Sequence, residues 1–406
     1  MRGNTKLRRA IDGQFRLTDS EIAQYESLPA MQRPNWQDDC LLADVRNALS
    51  SLPNLVAAHD VDTLCRLLAE VANGKVQVVQ SGDCAEDPAE CTPSHIARKA
   101  GLLDVLAGAM KMKSHKPVVR VGRIAGQFGK PRSRPTEKLD GYEIPVYRGH
   151  MVNSPEPDAE HRRPDPKRLL AGYWAASAAM ASLGSGASDE CRAELPIWTS
   201  HEALLLDYEV PMLRRDESGR LLLTSTHWPW IGNRTRQLGG AHVAMLAAVA
   251  NPVACKVSAD MEKAELLGLC ERLDPDRVPG RLTFIARMGA DEVADRLSAL
   301  VVAAHSAGHP IIWMCDPMHG NTVSAPGGRK TRLVDSIICE TVAFHAAVKA
   351  AGAVAGGLHL EATPDDVNEC VADESGIDEA GSRSTTLCDP RLNPQQAFAV
   401  ALAWNG

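Results

Sequence analysis

No stretch of this chain reaches the ~18–20 consecutive apolar residues that a bilayer-crossing helix needs. Its most apolar run, residues 241–257, is broken by Asn251 and Pro252. The N-terminus reads MRGNTKLRRAIDGQF, with charges but no apolar segment behind them, so no secretory signal is expected. A basic surplus is also missing: 44 Lys and Arg stand against 51 Asp and Glu, a formal net charge of −7. Duplex-binding domains are usually basic, which argues against nucleic acid as a partner. The eleven cysteines contain no CxxC pair, so a zinc ribbon is not expected and buried free thiols are. Neither a Walker A loop, a dinucleotide fingerprint nor a Gly-x-Ser-x-Gly elbow is present. Hydride transfer and serine-centred hydrolysis therefore have no support. The expectation is a soluble, cytoplasmic protein without membrane contact. Anionic substrates stay open, because a basic pocket can sit within an acidic surface.

What is present is rhythm. Hydrophobic residues make up 44% of the 406, enough for a large core. From Leu64 onward, short apolar segments alternate with longer amphipathic ones. The short ones are 76–80, 117–124, 196–199, 228–231, 252–257, 282–286, 310–314 and 357–360. Helical patterns occupy 95–111, 166–183, 202–214, 241–249, 261–273, 291–307, 332–351 and 394–404. Strands alternating with helices predict a parallel sheet, and eight pairs predict a closed (β/α)₈ TIM barrel. The expected division is a barrel over 61–406 with an N-terminal extension, 1–60, packed on it. Two irregular stretches, 127–153 and 363–391, fall after strands 2 and 8. In a barrel both are loops on the C-terminal face, where active sites form.

Two residue sets collect at the predicted strand ends. Arg123, Lys130, Arg132, Arg234, Lys256 and Arg287 are cationic. Arginine forks and lysine point charges suit phosphate and carboxylate. Most surface cations are simply solvated, but Lys256 lies within VACKV and Arg287 within FIARM, and a charge in a buried strand needs a partner. The second set is Cys84, His319, Glu361 and Asp389. No local spacing announces them, and a lone Cys or His is more often structural. Together at barrel strand ends they form a candidate metal site. Mixed thiolate, imidazole and carboxylate donors suit Mn²⁺, Fe²⁺, Co²⁺ or Zn²⁺ better than Mg²⁺ or Ca²⁺.

The segments QSGDCAED, RVGRIAGQFGKPRS, YRGHMVN, SHEALLLDYE, WIGNRTRQLGGAHV, NPVACKV, GRLTFIARMG, CDPMHGNT, KTR, GLHLEATPDDVNEC and CDPRLN resemble class II 3-deoxy-D-arabino-heptulosonate 7-phosphate (DAHP) synthases. The matches run in order through nearly the whole chain. The resemblance implies a (β/α)₈ barrel that condenses phosphoenolpyruvate with erythrose 4-phosphate. It implies a divalent metal, Mn²⁺ first, on Cys84, His319, Glu361 and Asp389. It implies phosphoenolpyruvate contacts from Arg123, Arg234, Lys256 and Arg287, and aldose-phosphate contacts from Lys130 and Ser133, with Arg123 and Arg234 shared or adjacent. Glu202, Lys256 and a metal-bound water are candidates for proton handling. A homo-oligomer, a dimer or larger, is also expected. Three positions depart from the family pattern: Asn233 in place of a glutamate, Gly239 in place of an aspartate, and Ser384-Thr385 where a tyrosine is usual. They keep two alternatives open, a synthase with a different aldose phosphate (such as an amino-sugar phosphate) and a non-catalytic barrel. The segment 183–195 is short, as in members that feed secondary pathways such as phenazine formation, so feedback inhibition is not expected. Cys388 beside Asp389 is expected as a reduced partner of Cys84.

Overall fold

The computed structural model describes residues 16–139, 141–184 and 196–405. Eight parallel strands build its centre: β1 Gln77–Gly82, β2 Val118–Arg123, β3 Trp198–Thr199, β4 Trp230–Ile231, β5 Val253–Ser258, β6 Leu282–Arg287, β7 Ile312–Cys315 and β8 Val354–Glu361. Hydrogen bonding runs β3-β2-β1-β8-β7-β6-β5-β4. The two ends of that order meet. Trp228 N–H donates to the Thr199 carbonyl at 3.1 Å, Trp230 N–H to His201 at 3.1 Å and Ala203 N–H to Trp230 at 3.0 Å, and Glu202 and Trp230 form a parallel bridge. The curled sheet is thereby joined into a barrel, with strands where the apolar segments placed them.

Ten helices are needed for the argument. α1 Asp19–Glu26, α2 Asp39–Ser51 and α3 Ala58–Ala72 precede the barrel. α4 Pro93–Ser114, α5 Lys167–Ser182, α6 Ala241–Ala248, α7 Lys263–Leu273, α8 Val293–Ser306, α9 Val334–Ala350 and α10 Pro394–Ala403 follow strands 1, 2 and 4–8. One expected helix is absent. Residues 202–214 form a four-residue turn, Leu206–Glu209, a 3₁₀ turn, Val210–Met212, and the first strand of a hairpin, Leu213–Arg215 with Leu221–Leu223. Two more hairpins sit in loops on the C-terminal side: Thr136–Leu139 with Tyr142–Pro145 after β2, and Thr322–Ser324 with Lys330–Arg332 after β7. The shortened segment falls largely on 185–195, outside the described residues.

Strand pleating explains why chemistry gathers at one end. Side chains two residues apart share a face. Along the interior face β2 reads Val119, Val121, Arg123; β5 Ala254, Lys256, Ser258; β6 Ile285, Arg287; and β7 runs Ile312, Met314 into Asp316. On β8 the row Gly357, His359, Glu361 pairs with Val78, Gln80, Gly82 of β1. Each row starts apolar and ends polar. The apolar end is closed from outside: Leu64, Leu68 and Val71 of α3 cluster with Val78, Val119, Val121, Ile285 and Ile312. α3 therefore plugs the N-terminal mouth and leaves the polar C-terminal mouth open. α2 joins the outer core through Leu42, Val45 and Leu49, and Trp36 before it donates Nε1–H to buried Asp207 at 2.8 Å.

Candidate active site

Lys256 projects from the middle of a fully buried strand. Its partner is Asp316, just past β7, which accepts its Nζ–H. Burial pulls the Lys256 ammonium down to about 8, against the pull of Asp316 upward; Arg123 and Arg287 add to the lowering. Arg123 and Lys256 both lie over the Trp230 ring, at 5.4 and 6.0 Å from its centroid. Arg123 also donates to His359 Nε2 at 3.1 Å and to Glu361 at 3.2 Å. His359 Nδ1 lies 2.6 Å from Gln80 Oε1, and Gln80 Nε2 donates to Ser200 at 2.6 Å. That chain fixes the imidazole as an acceptor toward Arg123. Burial keeps His359 well below its ordinary range, so it is neutral. Arg287 donates to the His319 carbonyl at 2.8 Å, and its buried Nε meets no acceptor. Three cations thus surround one space: Asp316 balances Lys256 and Glu361 pairs with Arg123, while Arg287 has no carboxylate partner among the described residues. An anion is the missing counter-charge.

Beside this centre Cys84, Glu361 and Asp389 bring Sγ and carboxylate oxygens within 4.8 Å of one another. His319 stands outside that trio but touches it, with Nε2 3.2 Å from Glu361 Oε1. Its Nδ1 lies 2.8 Å from Asp316, which leaves Nε2 as the ring atom that could hold a metal, with the carboxylate support usual for such a histidine. Glu361 Oε2 faces Arg332 Nη1 at 2.8 Å, a fully buried ion pair. Burial pushes the Glu361 carboxyl up, yet His319 and Arg332 hold it well below its ordinary value. The Cys84 thiol is likewise opposed by burial, but a hydrogen bond from Cys388 and the charge of Lys130 bring it to about 7. Thiolate, imidazole and two carboxylates gathered at one point fit a divalent transition metal.

A cavity of about 510 Å³ opens next to the trio, lined by Lys130, Ser133, Arg234, Lys330 and Asp389 among others. Lys130 donates to Asp389 at 2.6 Å and Lys330 to the other oxygen at 2.8 Å. Arg234 donates to Ser133 Oγ. Arg132 lines this cavity too, with its guanidinium 3.6 Å from Glu137. Glu202 is half-buried, with its Oε1 buried against Gly232, where a Cβ would stand 1.9 Å from that oxygen. That oxygen has no hydrogen-bond partner, and burial raises the carboxyl, partly offset by Lys130, Lys256 and Arg234. A larger cavity, about 780 Å³, lies away from the strand ends, against α2 and the Leu213–Leu223 hairpin.

The departures have visible surroundings. Asn233 Oδ1 accepts from Ser258 at 2.6 Å, and Arg236 donates to Ser258 at 2.9 Å. Gly239 has open space where a side chain would be. Thr385 N–H donates to Glu369 at 2.9 Å, and Thr385 Oγ1 accepts from Arg391 at 2.6 Å.

Several groups at the site lie within the segments CDPMHGNT, KTR and CDPRLN without having been singled out there. Asp316 balances Lys256, while Lys330 and Arg332, both on the hairpin after β7, reach Asp389 and Glu361. Arg391 bridges Asp83 at 2.6 Å and Glu369 at 2.8 Å, which ties the Cys84 loop to the Asp389 loop. A sequence signal for Arg391 existed: it follows Asp389 by two in CDPRLN.

The Class-II DAHP synthetase family model matches residues 20–195 and 180–404. The chain is 55% identical over 377 residues to a probable phospho-2-dehydro-3-deoxyheptonate aldolase of Pseudomonas fluorescens, covering 92% of this chain and 94% of that one. It is 38% identical over 426 residues to the phospho-2-dehydro-3-deoxyheptonate aldolase of Streptomyces coelicolor, covering 93% and 95%. A Mycolicibacterium smegmatis enzyme of the same name is 38% identical over 438 residues, covering 94% and 92%.

Proposed function

The chain belongs to the Class-II DAHP synthetase family, and we propose that it joins phosphoenolpyruvate to D-erythrose 4-phosphate, giving DAHP and phosphate. The observation that carries the reading is the convergence of the Cys84, Glu361 and Asp389 trio with two cation groups at one barrel mouth. Arg123, Lys256 and Arg287 take the carboxylate and phosphate of phosphoenolpyruvate. Lys130, Ser133 and Arg234 take the phosphate of the aldose in the adjoining cavity.

Cys84, His319, Glu361 and Asp389 would hold a divalent metal, with Mn²⁺ first and Co²⁺, Fe²⁺ or Zn²⁺ as alternatives, which supplies Lewis-acid polarisation of the aldehyde. The enol carbon of phosphoenolpyruvate bonds to the aldehyde carbon, and the aldehyde oxygen gains a proton. Water adds at C2, and the C2–phosphate bond breaks. The cations hold two polyanions together that would otherwise repel, which is positioning and charge stabilisation. Glu202, with its carboxyl raised by burial and one oxygen free, moves the proton.

The test is phosphate release from phosphoenolpyruvate with Mn²⁺ across a panel of aldose phosphates. Erythrose 4-phosphate is expected to be the best acceptor. No turnover with it, alongside turnover with a pentose or amino-sugar phosphate, would reassign the acceptor and point to Asn233. No consumption with any acceptor would leave a non-catalytic barrel.

A further inference from the structure

We propose that Glu340 is a positioning residue that ties the Arg287 loop to the His319 loop, so that phosphoenolpyruvate and the divalent metal strengthen each other's binding. The proposal rests on the function given above.

Glu340 lies on α9, outside the barrel, with none of its surface exposed. One carboxylate oxygen accepts N–H from Met288 and Gly289, each at 2.9 Å. These residues directly follow Arg287. The other oxygen accepts from Asn321 Nδ2 at 2.6 Å. Asn321 follows His319 by two. It also donates to the Pro317 carbonyl at 2.9 Å and accepts from Ala290 N–H at 3.0 Å. A single acid and a single amide therefore fasten the main chains of both loops.

The loops also touch each other. A Cβ on Gly320 would stand 2.2 Å from Gly289 N, so no side chain fits between them. Arg287 itself donates to the His319 carbonyl at 2.8 Å. A shift of His319 toward a metal moves the carbonyl that orients Arg287, and an anion drawing on Arg287 acts back on His319. Coupling between binding sites is reciprocal by necessity. Glu340 has no cation among its hydrogen-bond partners. A buried carboxylate in that position costs stability unless its hydrogen bonds serve a purpose an apolar residue could not.

Calorimetric titration of phosphoenolpyruvate into metal-free protein, with and without Mn²⁺, measures the coupling without turnover. In the wild type, Mn²⁺ is expected to tighten phosphoenolpyruvate binding about tenfold. Glu340→Gln keeps the volume and can still accept from Met288 and Gly289, but turns an N–H toward Asn321. Asn321→Ala removes the other arm. Both variants should lose most of the coupling, and a melting curve on each checks that it is folded. Wild-type coupling in both variants, with only a lower melting temperature, overturns the proposal and leaves Glu340 a packing residue. A wild type that binds no phosphoenolpyruvate under either condition overturns the functional reading and this inference with it.

Discussion

Lys256 is a cation held almost out of water, with 5% of its surface exposed. Its pKa near 8 is below the ordinary 10.5, so the folded protein loses this proton first as pH rises. Between about 8 and 10.5 the unfolded chain binds more protons, and this group's contribution to stability rises with pH over that window. Binding of an anion moves the other way, because deprotonation removes a counter-charge. The expected profile of kcat/KM for phosphoenolpyruvate falls above an inflection near pH 8. Lys256→Arg stays charged throughout, so its rate should drop while that inflection disappears. An unchanged inflection in the arginine variant would assign the titration to another group. The proposed metal ligands make a second residue-scale prediction. Cys84→Ala and His319→Ala should each lose bound Mn²⁺ and about 100-fold or more of activity. Near-normal rates and metal content in either would remove that residue from the set.

Strands were legible because each one changes from apolar to polar along its inward row. Lys256 and Arg287 stood out as charges inside apolar segments, and both reach the mouth. Residues 202–214 were not legible. From Ala203 to Arg214 every residue is buried, so the segment has no solvent face for a helical period to reveal. Pro211 lacks the N–H that a continued helix would need. What Lys330, Arg332 and Glu340 pair with was unreadable for another reason. Their partners are 59, 29 and at least 19 positions distant, and only hairpin and helix packing brings them together. The seam between β1 and β8 gives a prediction at this scale. A Cβ on Gly357 would stand 1.9 Å from the Val78 carbonyl oxygen, and backbone cannot yield there. Gly357→Ala should cost about 3 kcal/mol or more, read as a lower denaturation midpoint. Gly239→Ala, with open space around its position, serves as the neutral comparison.

Across the whole molecule, the pairs that shape the mouth also set the response to acid. Asp83 lies 2.7 Å from Lys99 and 2.6 Å from Arg391, Glu361 2.8 Å from Arg332, and Asp389 2.6 Å from Lys130; Asp316 pairs with Lys256. Burial pushes each of these four carboxyls up, but the neighbouring cations win and hold all four below their ordinary 3.8 or 4.5. A carboxylate with a depressed folded pKa contributes stability that is complete above its unfolded value and is lost as pH falls through the folded one. Glu340 acts in the opposite sense. Burial raises it from 4.5 to about 7, so its stabilising protonated form is lost as pH rises across that window. The metal-free protein should therefore lose melting temperature gently from about pH 4.5 to 7 and steeply below about pH 4. Glu340→Gln should flatten the gentle limb and leave the steep one in place. Asp83→Asn, which keeps the shape but leaves Lys99 and Arg391 short of a carboxylate, should lower stability at pH 7 and make the acid limb shallower. Calorimetric melting from pH 3 to 8 reads both limbs, and a flat profile down to pH 3 would mean that these buried pairs do not set the acid response.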